Sequence, residues 1–231
     1  SKIVRVRNNL GYWLTRKHRL LNRVYRTLVD VTLTNSDAGR ASLEAEGVPA
    51  DRVAVLENGV DVERFAASPR AVTGEMRVGV VANLRPIKGL DVFVRAASQL
   101  LARHPALRFE IAGDGPQRGE LQSQIDSLNL TDRVRLLGAV ADVPAFLASL
   151  DVAVLPSRSE GMSNAILEYM AAGRAIVATK VGANGRLVRD GVDGLLVAPE
   201  DVTELANAIE RLITDRDMAR ALGTSARRRA C

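Results

Sequence analysis

From residue 76 onward, short apolar runs alternate with longer stretches whose apolar positions recur every three to four residues. The runs at 78–82, 108–112, 134–137, 152–155, 175–178 and 195–197 have strand length and predict strands buried on both faces. Helical periodicity predicts helices at 90–103, 117–128, 143–149, 164–172, 202–214 and 217–229. Strands alternating with helices predict an α/β fold, a Rossmann-like doubly wound parallel sheet with right-handed crossovers.

Before residue 76 the pattern is thinner. It predicts a helix at 20–29, a strand at 31–35, a helix at 36–46 capped by Ser36 and stopped by Gly47 and Pro49, and a strand at 53–56. Two strands and two helices cannot make a covered parallel sheet. Residues 1–74 therefore read as an incomplete βα remnant of a domain plus a linker at 66–75, and residues 75–231 as the second unit. Ser1 in place of methionine points to a fragment, and the first segment is expected to pack poorly or to self-associate with another copy.

Composition narrows the chemistry. At 3% aromatic residues, a platform for stacking bases is not expected. Cys231 is the sole cysteine and the histidines are His18 and His104, so no disulfide or metal site is expected. No apolar stretch approaches the length of a membrane span and no signal peptide is evident, which fits a cytoplasmic protein. The net charge of +5 is uneven: Lys2, Arg5, Arg7, Arg16, Lys17, Arg19, Arg23 and Arg26 crowd residues 1–26 without an acid. The preferred reading is a solvated helix face beside a phosphate-binding cleft, with peripheral contact to the inner face of a membrane next. Nucleic acid is not expected, because no recognition motif accompanies the charge.

The strongest chemical signal is Glu160-Gly161-Met162-Ser163-Asn164-Ala165-Ile166-Leu167-Glu168. It follows the 152–155 run, so it is predicted to lie at the carboxyl end of a parallel strand. Ser163 is placed to cap the next helix and Gly173 to end it. One carboxylate then lies on the turn and the other about one helical turn inside. Between them the free amides of the helix start make an anion site. A ligand with a phosphate centre and hydroxyls at both ends, such as a nucleotide sugar, suits that arrangement.

This pair of glutamates resembles the donor-site motif of the retaining glycosyltransferases of family 4, which have the GT-B fold. Asn58-Gly59-Val60-Asp61, Arg85-Pro86-Ile87-Lys88-Gly89, Ala112-Gly113-Asp114-Gly115-Pro116, Leu137-Gly138 and Asp190-Gly191-x-x-Gly194-Leu195-Leu196-Val197 agree with the same family in order and context. The resemblance implies the donor-binding C-terminal half of a GT-B enzyme, lacking its final crossover helix and preceded by the end of the N-terminal domain. It implies that Arg85 and Lys88 contact the donor diphosphate and stabilise it as it leaves, that Gly113 and Gly115 border the nucleotide, and that Leu137 packs on the base. The amides of Gly161, Met162, Ser163 and Asn164 would border the sugar and distal phosphate, Glu168 would accept from the ribose hydroxyls, and Glu160 would face the transferred sugar. The implied reaction moves a hexose from a UDP- or GDP-sugar to a hydroxyl of a glycan, lipid or small alcohol with retention, without metal or other cofactor.

Two alternatives stand beside it: another GT-B enzyme such as a nucleotide-sugar epimerase, and a non-catalytic nucleotide-sugar binding module. A nicotinamide cofactor is not expected, because Gly113 and Gly115 lack the third glycine of the dinucleotide fingerprint, Arg118 standing in its place. One departure from the family concerns Val181-Gly182-Ala183-Asn184-Gly185-Arg186, where a glutamate is usual at the last position. Arg186 is expected to reverse a charge near the cleft, with consequences for the donor sugar and for activity.

Overall fold

The computed structural model describes residues 2–8, 15–65 and 75–231, without the side chains of Arg16, Arg19, Arg23 and Arg26. The predicted linker, residue 75 apart, lies outside the described residues. The strands form two separate parallel sheets. The first contains β1 (Val4–Val6), β2 (Val31–Thr34) and β3 (Val53–Val55), in that order. With it go α1 (Arg16–Tyr25), which tightens into a 3-10 turn at Arg26–Leu28, and α2 (Asp37–Ala45).

Three features of this part differ from expectation. β1 was not predicted; its alternation is only three residues long and sits inside the basic run. α1 begins at Arg16, four residues before the predicted start, on a polar turn that carries no apolar period. Arg7 is not on a solvated helix face but is buried: its guanidinium donates to both oxygens of Glu46, at 2.6 and 2.7 Å, and to Ser42. Ile3, Val4, Val6, Leu20, Leu21 and Val24 remain exposed.

The second sheet contains β4 (Arg77–Val81), β5 (Arg108–Ala112), β6 (Val134–Gly138), β7 (Val152–Leu155), β8 (Ala175–Thr179) and β9 (Leu195–Val197), in the order β6-β5-β4-β7-β8-β9. Its helices are α3 (Leu90–Arg103), α4 (Arg118–Ser127), α5 (Val143–Ala148), α6 (Asn164–Ala171), α7 (Asn184–Leu187), α8 (Val202–Thr214) and α9 (Arg216–Ala230). α7, a single turn, was not predicted. The order is that of a doubly wound Rossmann-like sheet, as expected.

Alternating side chains divide between two cores. Val78, Val80, Phe109, Ile111, Val154 and Val177 face α3 and α8, where Phe93 meets Phe109 edge to face at 5.7 Å. Ala153, Leu155, Ile176 and Ala178 face α6 through Ile166, Tyr169 and Met170. Each fully buried aliphatic or aromatic side chain contributes about 1.5–3 kcal/mol, which makes this sheet the stable part of the chain. The Asp190–Val197 motif is part of that framework: Asp190 accepts from the Leu196 amide at 2.9 Å, and buried Asp193 holds Arg189 at 2.6 Å.

Strand order reverses between β4 and β7, and there the ladder has just two rungs, Val78 to Val152 and Gly79 to Ala153. Beyond them the strands part. The freed backbone groups are met by a side chain instead: the buried Tyr169 hydroxyl accepts from the Val81 amide at 2.8 Å and donates to the Val154 carbonyl at 3.3 Å. The parting opens the crevice in which ligands of such sheets bind.

Candidate functional site

A cleft of about 620 Å³ lies over the carboxyl ends of both sheets. β4, β5 and β7 bring Val81, Ala112 and the loops after them. The first sheet brings Asn8, Asn35 and Asn58, one after each of its strands. Of the residues singled out in the sequence, Lys88, Gly113, Glu160, Met162, Ser163, Asn164 and Glu168 line this cleft together. Arg85, Gly115, Leu137 and Gly161 are not among its lining residues. Arg85 is exposed at the start of a 3-10 turn, Pro86–Lys88, and Leu137 is exposed on the edge strand β6.

The Lys88 ammonium donates to Glu160 at 2.6 Å, and Ser157 donates to the same carboxylate oxygen at 2.7 Å. The family resemblance implies separate roles for these two charges, and the structure joins them as an ion pair. Arg158 fastens the two loops that bear them. It donates to Pro86 O at 2.6 Å and to both oxygens of Asp91 at 2.8 Å, while its amide donates to Ile87 O at 2.8 Å. Sequence reasoning missed Arg158, because nothing in a lone arginine in a polar turn shows what it reaches.

Glu168 is half-buried, and its carboxylate makes no hydrogen bond among the described residues. Burial raises its pKa above the ordinary glutamate value, against the opposing pull of Arg64. The predicted Ser163 cap does not form: Ser163 holds the N-cap position of α6, but its side chain makes no capping hydrogen bond. Elsewhere Ser36, Asp142, Asp201 and Asp215 do cap α2, α5, α8 and α9 with their side chains. The start of α6 therefore faces the cleft with its amides unmet by a cap, and the helix dipole adds positive potential there.

Two glycines are fixed by close backbone crossings. Gly113 has φ +138°, and a Cβ there would lie 1.9 Å from the Ala82 carbonyl oxygen. Its want of a side chain thus serves the approach of two loops of the chain to each other. Gly182 has φ +53°, and a Cβ would lie 1.9 Å from the Glu160 carbonyl oxygen. With the Ala183 amide donating to Gly161 O at 2.9 Å, the loop after β8 fixes the backbone that carries Glu160.

The first sheet contacts this loop directly. The Asn58 amide donates to the Met162 sulfur at 3.2 Å and its side chain to Asn164 Oδ1 at 2.6 Å. Arg186 does not line the cleft; it pairs with Glu57 at 2.5 Å and Asp37 at 3.5 Å, beside the first sheet. Asn8, Asn35 and Asn58 had no assigned role in the sequence reading. Their signal is positional, an asparagine within three residues of the end of each short parallel strand. Among the described residues no group of three or more metal-ligating side chains occurs, and no helix is long and apolar enough to cross a membrane.

The glycosyl transferases group 1 family matches residues 75–215. Alpha-D-kanosaminyltransferase of Streptomyces kanamyceticus is 32% identical over 191 residues, 78% of this chain and 50% of the relative. A D-inositol 3-phosphate glycosyltransferase of Salinispora arenicola is 34% identical over 226 residues, 87% of this chain and 50% of that protein. The chain thus spans about half the length of these curated relatives. Among solved structures, Anabaena HepE in complex with UDP and glucose superimposes with a TM-score of 0.92 at 26% identity, covering 99% of this chain and 66% of HepE. The chain belongs to the glycosyl transferases group 1 and has the GT-B fold.

Proposed function

We propose that the cleft binds the diphosphate and sugar of a UDP- or GDP-hexose, and that the enzyme transfers the hexose to a hydroxyl of a glycan, lipid or small alcohol with retention. The observation that carries this reading is the uncapped start of α6, set between the Lys88–Glu160 pair and the unpartnered Glu168. Side-chain charge alone does not favour a diphosphate, since Asp114, Glu160 and Glu168 face Lys88 across the cleft. The helix amides supply the missing positive end, as they do in other phosphate sites. HepE, with UDP and glucose bound, supports the choice of ligand.

In this reading the diphosphate draws Lys88 from Glu160 and lies against the α6 amides, with Arg85 at its outer edge. Gly113 and Gly115 border the nucleotide, Leu137 packs on the base, and Glu168 accepts from the ribose hydroxyls. Glu160, released from its cation, faces the sugar beside the amides of Gly161 and Met162. Catalysis is then positioning together with stabilisation of charge on the departing diphosphate, which itself takes the acceptor proton. No metal is called for, because Lys88, Arg85 and the helix start provide the compensating charge. The expected membrane contact would act through the basic residues 1–26, and self-association through the incomplete first segment, whose β1 and α1 expose apolar side chains.

Calorimetric titration of UDP, GDP and UDP-glucose tests the reading. One nucleotide should bind, and Lys88→Ala or Glu168→Ala should weaken it about ten- to a hundredfold, the worth of one charge-assisted hydrogen bond. Binding by none of the three, or affinities unchanged in both variants, would overturn it.

A further inference from the structure

At the opposite end of the six-stranded sheet, where β4, β7 and β8 begin, α8 and α9 border a groove of about 510 Å³. Its floor is apolar, with Leu150, Ala175 and Ala219, and its walls carry Arg174, Arg216, Arg220 and Arg227. Among its lining residues Asp151 is the sole acid, and its carboxylate already accepts from the Arg77 amide at 2.7 Å. Arg216, Arg220 and Arg227 lie on one face of α9, at helical spacings of four and seven. Arg174 is held in place by carbonyl oxygens, donating to Ala172 O at 2.9 Å and Leu150 O at 3.0 Å.

The arginines of α9 have little to neutralise them. Arg220 pairs with Asp217 at 3.1 Å, but Asp217 is 93% exposed and such a pair contributes almost nothing. Arg216 and Arg227 pair with no carboxylate among the described residues. A second polar cavity of about 670 Å³, at the start of β4 to β6, shows the opposite case. There Arg77, Arg108, Arg133 and Arg135 share the lining with Glu75, Glu110 and Asp132, and Arg108 donates to both oxygens of Glu75 at 2.9 and 3.2 Å. That cavity sets three acids beside its four arginines, whereas the α9 groove sets one, Asp151, beside its four, so positive charge predominates over its apolar floor.

We propose that the α9 groove is an anion site, separate from the cleft, that takes a phosphate or diphosphate group, either free or as the head of a lipid. Arginine forks match phosphate oxygens bidentately, and clustered charge of one sign in a concavity raises the local concentration of such anions. The apolar floor would seat whatever short chain the phosphate carries.

The test is calorimetric titration of inorganic pyrophosphate and of a short-chain phosphatidic acid below its micelle concentration. Each is run on the wild-type chain, the Arg216→Gln/Arg227→Gln variant and Lys88→Ala. Saturable pyrophosphate binding that persists in Lys88→Ala, where binding in the cleft is weakened, and that falls at least tenfold with the arginine changes is the expected result. Tighter binding of the lipid assigns the groove to a lipid headgroup, and equal binding to a free phosphate. No binding of either probe, or loss in Lys88→Ala with none in the arginine variant, overturns the proposal. Arg216 is exposed, so Arg216→Gln alone keeps the test readable should the double variant fold poorly.

Discussion

Every residue of β7 and β8 is buried, whereas no residue of β1 is, and Ile3, Val4 and Val6 stay exposed. Both sheets are parallel and both end their strands at the same cleft. The six-stranded sheet earns its position by building a core on each face. The three-stranded sheet contributes polar strand ends, Asn8, Asn35 and Asn58, with little core behind them. Making a core and lining a site are thus separable tasks, and substitutions should act differently in the two regions.

The largest contrast is between two glycines. Gly113→Ala places a Cβ against the Ala82 carbonyl at a φ of +138°, and should cost roughly 3 kcal/mol or more in urea denaturation. Gly59→Ala, with nothing within 4 Å, should change stability by less than about 0.5 kcal/mol. Equal effects at the two positions would mean that the crossing at Ala82 is not rigid.

A smaller effect is expected where the regions touch. Asn58→Ala removes the donor to Asn164 and should cost about 1 kcal/mol, read as faster proteolysis of the first sheet. Glu168→Gln should act in the other direction. Burial raises the Glu168 pKa, so the folded chain holds the proton more tightly than the unfolded one. Stability then falls as pH rises from 4.5 through the raised value, and the glutamine variant should melt at a higher temperature than wild type at pH 7. The difference should vanish below pH 4.5, while UDP binding is weakened. A variant that melts lower at pH 7 would mean that an unseen partner stabilises the carboxylate. Arg186→Ala should do least. Its pairs with Glu57 and Asp37 are exposed, so under about 1 kcal/mol is expected, and nothing at 1 M salt.

The sequence shows the six-stranded sheet clearly, for a physical reason. Strands buried on both faces are continuous apolar runs, and helices buried on one face carry a helical period. α3 and α8 have the predicted bounds, and β5, β7 and β9 do too. β1 and α7 escaped because Val4-Arg5-Val6 and Asn184-Gly185-Arg186-Leu187 are short and hold neither a continuous apolar run nor a period. In the cleft, acids and glycines were legible because their spacing is local. The Lys88–Glu160 pair, the Arg158 fastening and the first-sheet asparagines join residues up to 106 positions apart, which no spacing rule covers. Ser163 is the instructive error. A serine at an N-cap normally satisfies the helix start, and here the start is left for something else to satisfy.

The parting of β4 from β7 is, mechanically, a crack in a hydrogen-bonded lattice, and a crack lengthens unless its tip is blunted. Tyr169 occupies that tip, bridging Val81 and Val154 where the next rung would be. Burial raises its pKa, which favours the protonated phenol that the bridge needs as donor to Val154. The Val81 amide should therefore exchange with deuterium as slowly as a true rung. Because Tyr169 follows Glu168 on α6, the crack tip and the acid beside it are set by the same turn of helix.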